Sequence, residues 1–222
     1  MPRQLSFDLP ARPALGRDDF FVSPANAEAL AAVEGWRDWP GGKLVLAGPE
    51  GAGKSHLAHV WAALSGARIV AARDLARAEI PRLAERPVAV EDADRVAGDR
   101  DAEEAIFHLH NLALAEGRAL LVTGRDAPGR WGLSLPDLES RLQAARTVRL
   151  GPPDDALLAA LLAKLFADRQ LSPSPDTITY LTRRIDRSFA AAAAVVERLD
   201  RAALAGRRPV TRALASEVLD EG

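Results

Sequence analysis

Eight consecutive residues, Gly48 to Ser55, have the types and spacing that bind phosphate. They read Gly-Pro-Glu-Gly-Ala-Gly-Lys-Ser and fit the P-loop pattern G-x-x-x-x-G-K-S. Glycines let successive backbone N–H groups point at an anion, the lysine adds a positive charge, and the following helix adds its dipole. The motif predicts binding of ADP or ATP, with Ser55 as a Mg²⁺ ligand. The predicted nucleotide contacts here are Gly48, Pro49, Glu50, Gly51, Ala52, Gly53, Lys54, Ser55 and His56.

Two adjacent carboxylates, Glu91 and Asp92, follow the apolar segment 88–90. A P-loop nucleotidase needs an acid at the end of a neighbouring strand to hold the magnesium shell. We predict that Glu91 lies near the metal and that Asp92 polarises the attacking water. The first acid of this motif is usually aspartate, so Asp92 could also replace Glu91 in part. The alternative is that both are surface charges before a turn.

Thr123 ends another apolar segment, 119–123. In a parallel sheet the carboxyl ends of the strands face the ligand crevice, which makes Thr123 a candidate sensor of the γ-phosphate. Threonine is also common in strands for packing reasons, and that alternative stays open.

Strand and helix patterns alternate over the first two thirds of the chain. The pattern predicts strands at 43–47, 68–71, 87–90, 119–123 and 146–150, with helices at 26–39, 56–65, 74–86 and 102–116. This alternation predicts a parallel sheet covered by helices on both faces. Beyond Gly151-Pro152-Pro153 only helices are predicted, at 154–170, 175–185, 189–205 and 211–219. We expect a flexible arm at 1–19, an α/β domain at 20–150 and a helical lid domain at 151–222.

Composition excludes several classes of function. The 29 Lys and Arg nearly balance 31 Asp and Glu, so there is no overall positive field to hold nucleic acid. Cysteine is absent, which excludes disulfides, thiolate metal sites and cysteine nucleophiles. The apolar runs are shorter than the about 20 residues of a membrane helix. The first residues lack the apolar stretch of a secretory signal, so we expect a cytoplasmic protein without a membrane partner.

With these parts in order, residues 18–220 resemble the AAA+ family, in particular its DnaA-related members and the short Hda-type regulators among them. Residues 19–26 resemble the segment before the family's first helix, which implies that Val22 and Asn26 lie near the adenine. Residues 135–142 resemble the family's arginine-finger segment, which implies that Arg141 acts in trans on the nucleotide of a neighbouring subunit. The alternative is an ordinary surface arginine.

The chain also departs from the family pattern. The lid position that normally carries an arginine, called sensor 2, holds Ala190, and Arg187 lies one helical turn earlier as a possible substitute. Together with Glu91, this implies that the chain's own ATPase activity is weak or absent. The DNA-reading domain of DnaA finds no counterpart, so independent sequence-specific DNA binding is not expected.

The arm holds a short peptide, Gln4-Leu5-Ser6-Phe7-Asp8-Leu9, that resembles the peptide by which Hda binds the sliding clamp of the replicative DNA polymerase. An extended peptide can place Leu5, Phe7 and Leu9 in an apolar groove while Gln4 makes hydrogen bonds. The alternative is a disordered tail with no partner.

The resemblance implies an α/β P-loop AAA+ protein that regulates replication initiation. It would bind adenine nucleotide with Mg²⁺, dock on the clamp and promote hydrolysis of DnaA-bound ATP, alone or as a homodimer. The main alternative is an independently active AAA+ ATPase that loads or remodels a replication complex. A DNA-binding initiator is a third possibility, disfavoured by the net charge of -2.

Overall fold

The computed structural model describes residues 16, 17 and 20–220, and its centre is a five-stranded parallel sheet. The strands are β1 (Lys43–Ala47), β2 (Arg68–Ala71), β3 (Val88–Glu91), β4 (Leu120–Gly124) and β5 (Arg146–Arg149). Their order across the sheet is β2-β3-β4-β1-β5, with every neighbouring pair parallel. The predicted α/β class is therefore confirmed.

Helices cover both faces of this sheet. The helices before β5 are α1 (Ala27–Glu34), α2 (Lys54–Ser65), α3 (Ile80–Ala84), α4 (Arg100–Ala115) and α5 (Pro136–Gln143). Side chains alternate along a strand, so Leu44 and Leu46 of β1 pack in the same apolar cluster as α1 and α2, while Val45 packs with α4 and α5. Burial on both faces explains why the inner strands β1, β3 and β4 are largely apolar.

The P-loop follows the carboxyl end of β1. The connections that leave β1 and its neighbour β4 lie on opposite faces of the sheet. From β1 the chain passes through α2 on one face, and from β4 it passes through α5 on the other. The two strands are paired with Ala47 opposite Gly124. Divergence of this kind opens a crevice at the carboxyl edge of a parallel sheet, which is where ligands bind.

Four helices follow the sheet: α6 (Asp155–Asp168), α7 (Pro175–Thr182), α8 (Phe189–Gly206) and α9 (Arg212–Asp220). They share their own apolar cluster, built around Phe166, Val196 and Leu199. The side chains of Asp154 and Ser188 accept backbone N–H groups at the starts of α6 and α8, as N-caps do. In residues 20–220 none of the helices has the length and apolarity to cross a membrane.

Three predictions about helices differ from the structure. The helix predicted over 26–39 ends at Glu34, and Trp36–Asp38 form a separate 3₁₀ turn. The single helix predicted over 74–86 is wrong: a 3₁₀ segment, Ala72–Arg77, is followed by the short α3. Pro81 explains the break, because proline has no N–H and its ring clashes with the carbonyl four residues earlier in a helix. The helix α5 was not predicted, although it begins with Pro136, which suits the first turn of a helix.

Candidate functional site

The P-loop has the backbone conformation of an anion cradle. Gly51 and Gly53 have φ angles of 74° and 99°, in the region that glycine tolerates best. No side chain among the described residues caps α2, which begins at Lys54. The N–H groups of its first turn are therefore available to an anionic ligand, and the helix dipole favours one there.

Lys54 is buried and lies against the loop that precedes it. Its Nζ donates to the carbonyl oxygens of Gly48 at 2.7 Å and Pro49 at 3.0 Å. Burial lowers the pKa of Lys54, the nearby carboxylates, led by Asp92, oppose this shift, and the guanidinium of Arg125 adds to it. The ammonium is thus held within a cluster of charges at the mouth of the loop.

The acidic segment lies beside the P-loop. Asp92 has a left-handed backbone with φ of 55°, and its N–H donates to Thr123 Oγ1 at 3.0 Å. Within the described part of the chain, Glu91 Oε1 and Asp94 Oδ1 are buried without a hydrogen-bond partner. Buried carboxylate oxygens of this kind fit a nearby cation.

Mg²⁺ usually binds through one or two protein oxygens and the phosphates of a nucleotide. Ser55 is exposed and lines the cleft beside the P-loop, as does Asp92. Together with Glu91 they offer the hydroxyl and carboxylate ligands that such an ion needs. The donor set therefore fits Mg²⁺ bound together with a nucleotide.

A cleft of about 400 Å³ lies between the P-loop and the helices after the sheet. Its lining residues are Glu50, Gly51, Gly53, Lys54, Ser55, His56, Asp92, Arg95, Arg125, Leu165, Phe189, Ala190 and Ala193. The last four belong to α6 and α8, which form the wall of the cleft opposite the P-loop. The N–H of Phe189 donates to the Gly51 carbonyl at 3.0 Å. A side chain added at Gly53 would contact the Phe189 ring at 3.4 Å, so this ring covers the loop.

Two arginines line this cleft that sequence reasoning did not assign to it. Arg95 Nη2 lies 3.3 Å and Arg125 Nη2 lies 3.6 Å from Glu50 Oε2 on the P-loop. Arg95 Nε also pairs with Asp92 at 3.2 Å, and Arg125 Nε with Asp94 at 3.8 Å. The available signal was position, since Arg125 follows Thr123 by two residues at the carboxyl edge of the sheet.

The segment expected to flank the adenine is folded into a turn. Asn26 is buried, accepting from the Ser23 N–H at 2.9 Å and donating to the Phe21 carbonyl at 2.8 Å. Val22 is half exposed. The described lining of the cleft includes neither residue, so contact with a base stays a prediction. His56 does line the cleft, and its ring meets the buried Phe20 edge to face at 5.1 Å.

Arg141 lies at the opposite end of β1 from the P-loop. The Nζ of Lys43, the first residue of β1, donates to the Arg141 carbonyl at 2.7 Å, and the exposed guanidinium lies 5.3 Å from the centre of the Phe107 ring. The two ends of this five-residue strand are about 13 Å apart. Arg141 therefore lies far from the cleft of its own chain.

One like charge, Lys43, and the buried His110 lie near that arginine. Lys43 Nζ lies 3.1 Å from Nε2 of buried His110, whose Nδ1 lies 3.2 Å from Asn111 Oδ1. Burial lowers the pKa of Lys43, and Arg141 lowers it further. Burial also lowers the pKa of His110, opposed by Asn111 and assisted by Lys43 and Arg141. A neutral imidazole accepting from Lys43 suits this geometry.

A buried glutamate fixes the start of the helix that carries Arg141. The Glu103 carboxylate accepts the N–H groups of Gly98, Ser134 and Leu135 and the Ser134 hydroxyl, at 2.7 to 3.0 Å. Burial acts to raise the pKa of Glu103, but these hydrogen bonds outweigh it and lower the pKa. Sequence reasoning missed this residue, because a glutamate in a helix is ordinarily solvent-exposed.

The two lid positions singled out from the sequence, Ala190 and Arg187, lie in different places. Ala190 lines the cleft, at the exposed start of α8. Arg187 instead pairs with Asp155 at 2.6 Å and reaches the Pro153 carbonyl at 3.4 Å. Its charge is thus directed to the start of α6. The predicted clamp-binding residues Gln4, Leu5, Phe7 and Leu9 lie outside the described residues.

Solved structures share this fold at low sequence identity. Domain III of the Thermotoga maritima replication initiation protein DnaA matches with a TM-score of 0.80 at 16% identity, covering 96% of this chain and 98% of that one. DnaA bound to AMPPCP and single-stranded DNA matches with a TM-score of 0.71 at 17% identity, covering 88% and 69%. The FIGL-1 AAA domain matches with a TM-score of 0.66 at 13% identity, covering 89% and 80%. No family model matches the chain.

Proposed function

We propose that this protein binds ADP or ATP with Mg²⁺ in the cleft between the P-loop and α8. The observation that carries the proposal is the uncapped start of α2 behind Gly51 and Gly53, with the buried Lys54 ammonium at its mouth. The likeness to a DnaA structure that holds AMPPCP supports the same assignment. Gly48–Ser55 would hold the phosphates, and Ser55, Glu91 and Asp92 the metal.

We further propose that the protein is an Hda-like regulator that promotes hydrolysis of DnaA-bound ATP. Arg141 is the group offered for this role. It is exposed, lies one strand length from its own P-loop, and sits on a helix whose start is fixed by buried Glu103. An arginine so placed can serve a nucleotide only on a neighbouring molecule, where it would stabilise the charge of phosphoryl transfer.

The arm supplies the second partner in this proposal. Gln4, Leu5, Phe7 and Leu9 would dock on the polymerase sliding clamp and bring the protein to DNA-loaded clamps. Attachment through a peptide would act by raising the local concentration of the regulator.

The test is hydrolysis of DnaA-bound ATP with purified protein and DNA-loaded clamp. Arginine fingers contribute roughly a thousandfold or more to such rates, so Arg141→Ala should lose nearly all stimulation. Gln4→Ala should lose the part of the stimulation that depends on the DNA-loaded clamp. Matched controls are Arg130→Ala, an exposed arginine paired with Asp126, and Ser6→Ala in the peptide.

Absence of stimulation by the folded wild-type protein would overturn the regulatory proposal. Turnover of free ATP by the protein alone, abolished by Asp92→Ala, would instead favour an independent loader or remodeller. The Asp92–Thr123 hydrogen bond beside the P-loop is the feature that this alternative would use.

A further inference from the structure

The phosphate cleft contains more positive charge than its motif accounts for. Lys54 belongs to the P-loop, whereas Arg95 and Arg125 reach the same cleft from the segments after β3 and β4. The residues that α6 and α8 contribute to the lining, including Ala190 at the sensor 2 position, are apolar. Within this lining, the positively charged side chains that could bind a triphosphate therefore come from the edge of the sheet.

The two arginines are held in the same way. Each directs its Nε at a carboxylate of the 92–94 segment and its Nη2 at Glu50 Oε2. One carboxylate oxygen on the P-loop thus faces two guanidinium groups. Arg125 also lies near enough to Lys54 to lower the pKa of that lysine, which places it at the phosphate end of the cleft.

The Glu50 pairs are the more exposed half of this arrangement. The Glu50 side chain is 72% exposed, against 46% for Asp92 and 12% for Asp94. Its distances to the arginines, 3.3 and 3.6 Å, also exceed those of close charge-assisted hydrogen bonds. Exposed ion pairs contribute little to stability, so an incoming phosphate can replace Glu50. Asp92 and Asp94 would keep the guanidinium groups oriented during that exchange.

We propose that Arg95 and Arg125 are phosphate-binding residues, and that Glu50 occupies them until a nucleotide displaces it. This inference rests on the proposed nucleotide binding. Guanidinium groups suit the role, because their planar donors match phosphate oxygens in pairs. In this arrangement the ends of β3 and β4, and not the lid helices, supply the arginines that recognise phosphate.

The experiment measures ADP and ATP binding by titration calorimetry at fixed ionic strength. Arg125→Ala and Arg95→Ala should each weaken binding roughly tenfold, the effect of losing one hydrogen bond to a charged group. Glu50→Gln should strengthen binding about threefold, because it frees the arginines. Arg130→Ala, an exposed arginine paired with Asp126 outside the cleft lining, should bind like wild type.

A double variant tests whether Glu50 acts through the arginines. In the Arg125→Ala background the gain from Glu50→Gln should shrink, since one of its two partners is gone. If Arg125→Ala fails to fold, the direction of the change in nucleotide affinity caused by Glu50→Gln still tests the proposal. Binding that is unchanged or weaker in Glu50→Gln overturns the proposal.

The outcomes also separate this inference from the function beneath it. Wild-type protein that binds neither nucleotide overturns both. Wild-type binding that Lys54→Ala abolishes, together with Arg95→Ala and Arg125→Ala variants that bind like wild type, overturns only the role of the arginines.

Discussion

The two walls of the cleft that we propose to bind nucleotide are built from opposite chemistry. The wall formed by the sheet edge carries Glu50, Lys54, Asp92, Arg95 and Arg125, each within reach of an opposite charge. The wall formed by α6 and α8 is lined by apolar side chains: Leu165, Phe189, Ala190 and Ala193. One wall can recognise phosphate by charge, and the other can exclude water.

This difference separates binding from closure. An arginine on the wall formed by α6 and α8 would make closure of the cleft depend on the number of phosphates. Only a nucleotide long enough to reach that charge would interact with it. Phe189 makes its contact with the P-loop through a backbone N–H and a ring instead. We therefore expect this contact to depend on the order of the P-loop more than on the presence of a γ-phosphate.

The largest effect expected from breaking this arrangement lies on the charged wall. Lys54→Ala should weaken ADP and ATP binding roughly a hundredfold, because it removes a buried, charged donor to phosphate. The change is measured by titration calorimetry. The variant also leaves the Gly48 and Pro49 carbonyls without their donor, so the thermal unfolding midpoint without nucleotide must be recorded as a control.

A variant that unfolds near the wild-type temperature yet retains wild-type affinity would contradict the charged-wall assignment. Lys164→Ala serves as the matched substitution, since this lysine of α6 pairs with Asp168 and is absent from the described cleft lining.

A smaller effect is expected from the apolar wall. Phe189→Ala removes the ring that covers Gly53 while leaving the backbone contact to Gly51 possible. Nucleotide affinity should fall roughly tenfold, from faster dissociation, because a half-buried aromatic contact is lost. Stopped-flow release of a fluorescent ADP measures it. Leu204→Ala, at a 71% exposed position of the same helix, should release ADP at the wild-type rate.

Most of the α/β architecture was predictable because its signals are local. The runs 44–47 and 119–122 are apolar throughout and short, as strands buried on both faces must be. The five predicted strands are found within a residue or two. The prediction over 74–86 gave too little weight to Pro81. The helix α5 was missed because only Leu138 and Leu142 of its residues are buried, which leaves a weak apolar period.

The site was predictable only where one motif carries it. Gly48–Ser55 identifies itself by sequence, whereas the Glu50, Arg95 and Arg125 cluster joins three segments that meet only after the sheet has formed. Glu103 is similar, since its partners at 134 and 135 lie over thirty residues away. Long-range polar contacts leave no periodic trace in a sequence, so charge alone could not reveal them.

The smallest effect tests whether the apolar wall can be given a charge. Ala190→Arg places a guanidinium at an exposed position that lines the cleft. ATP affinity should rise about threefold and ADP affinity less, because the new charge favours the longer anion while repulsion from Arg95 and Arg125 limits the gain. Ala194→Arg, one turn further along α8 and exposed, should leave both affinities unchanged. Equal gains for ADP and ATP, or none, would mean that closure over the P-loop does not bring α8 to the terminal phosphate, and the two walls would then act independently.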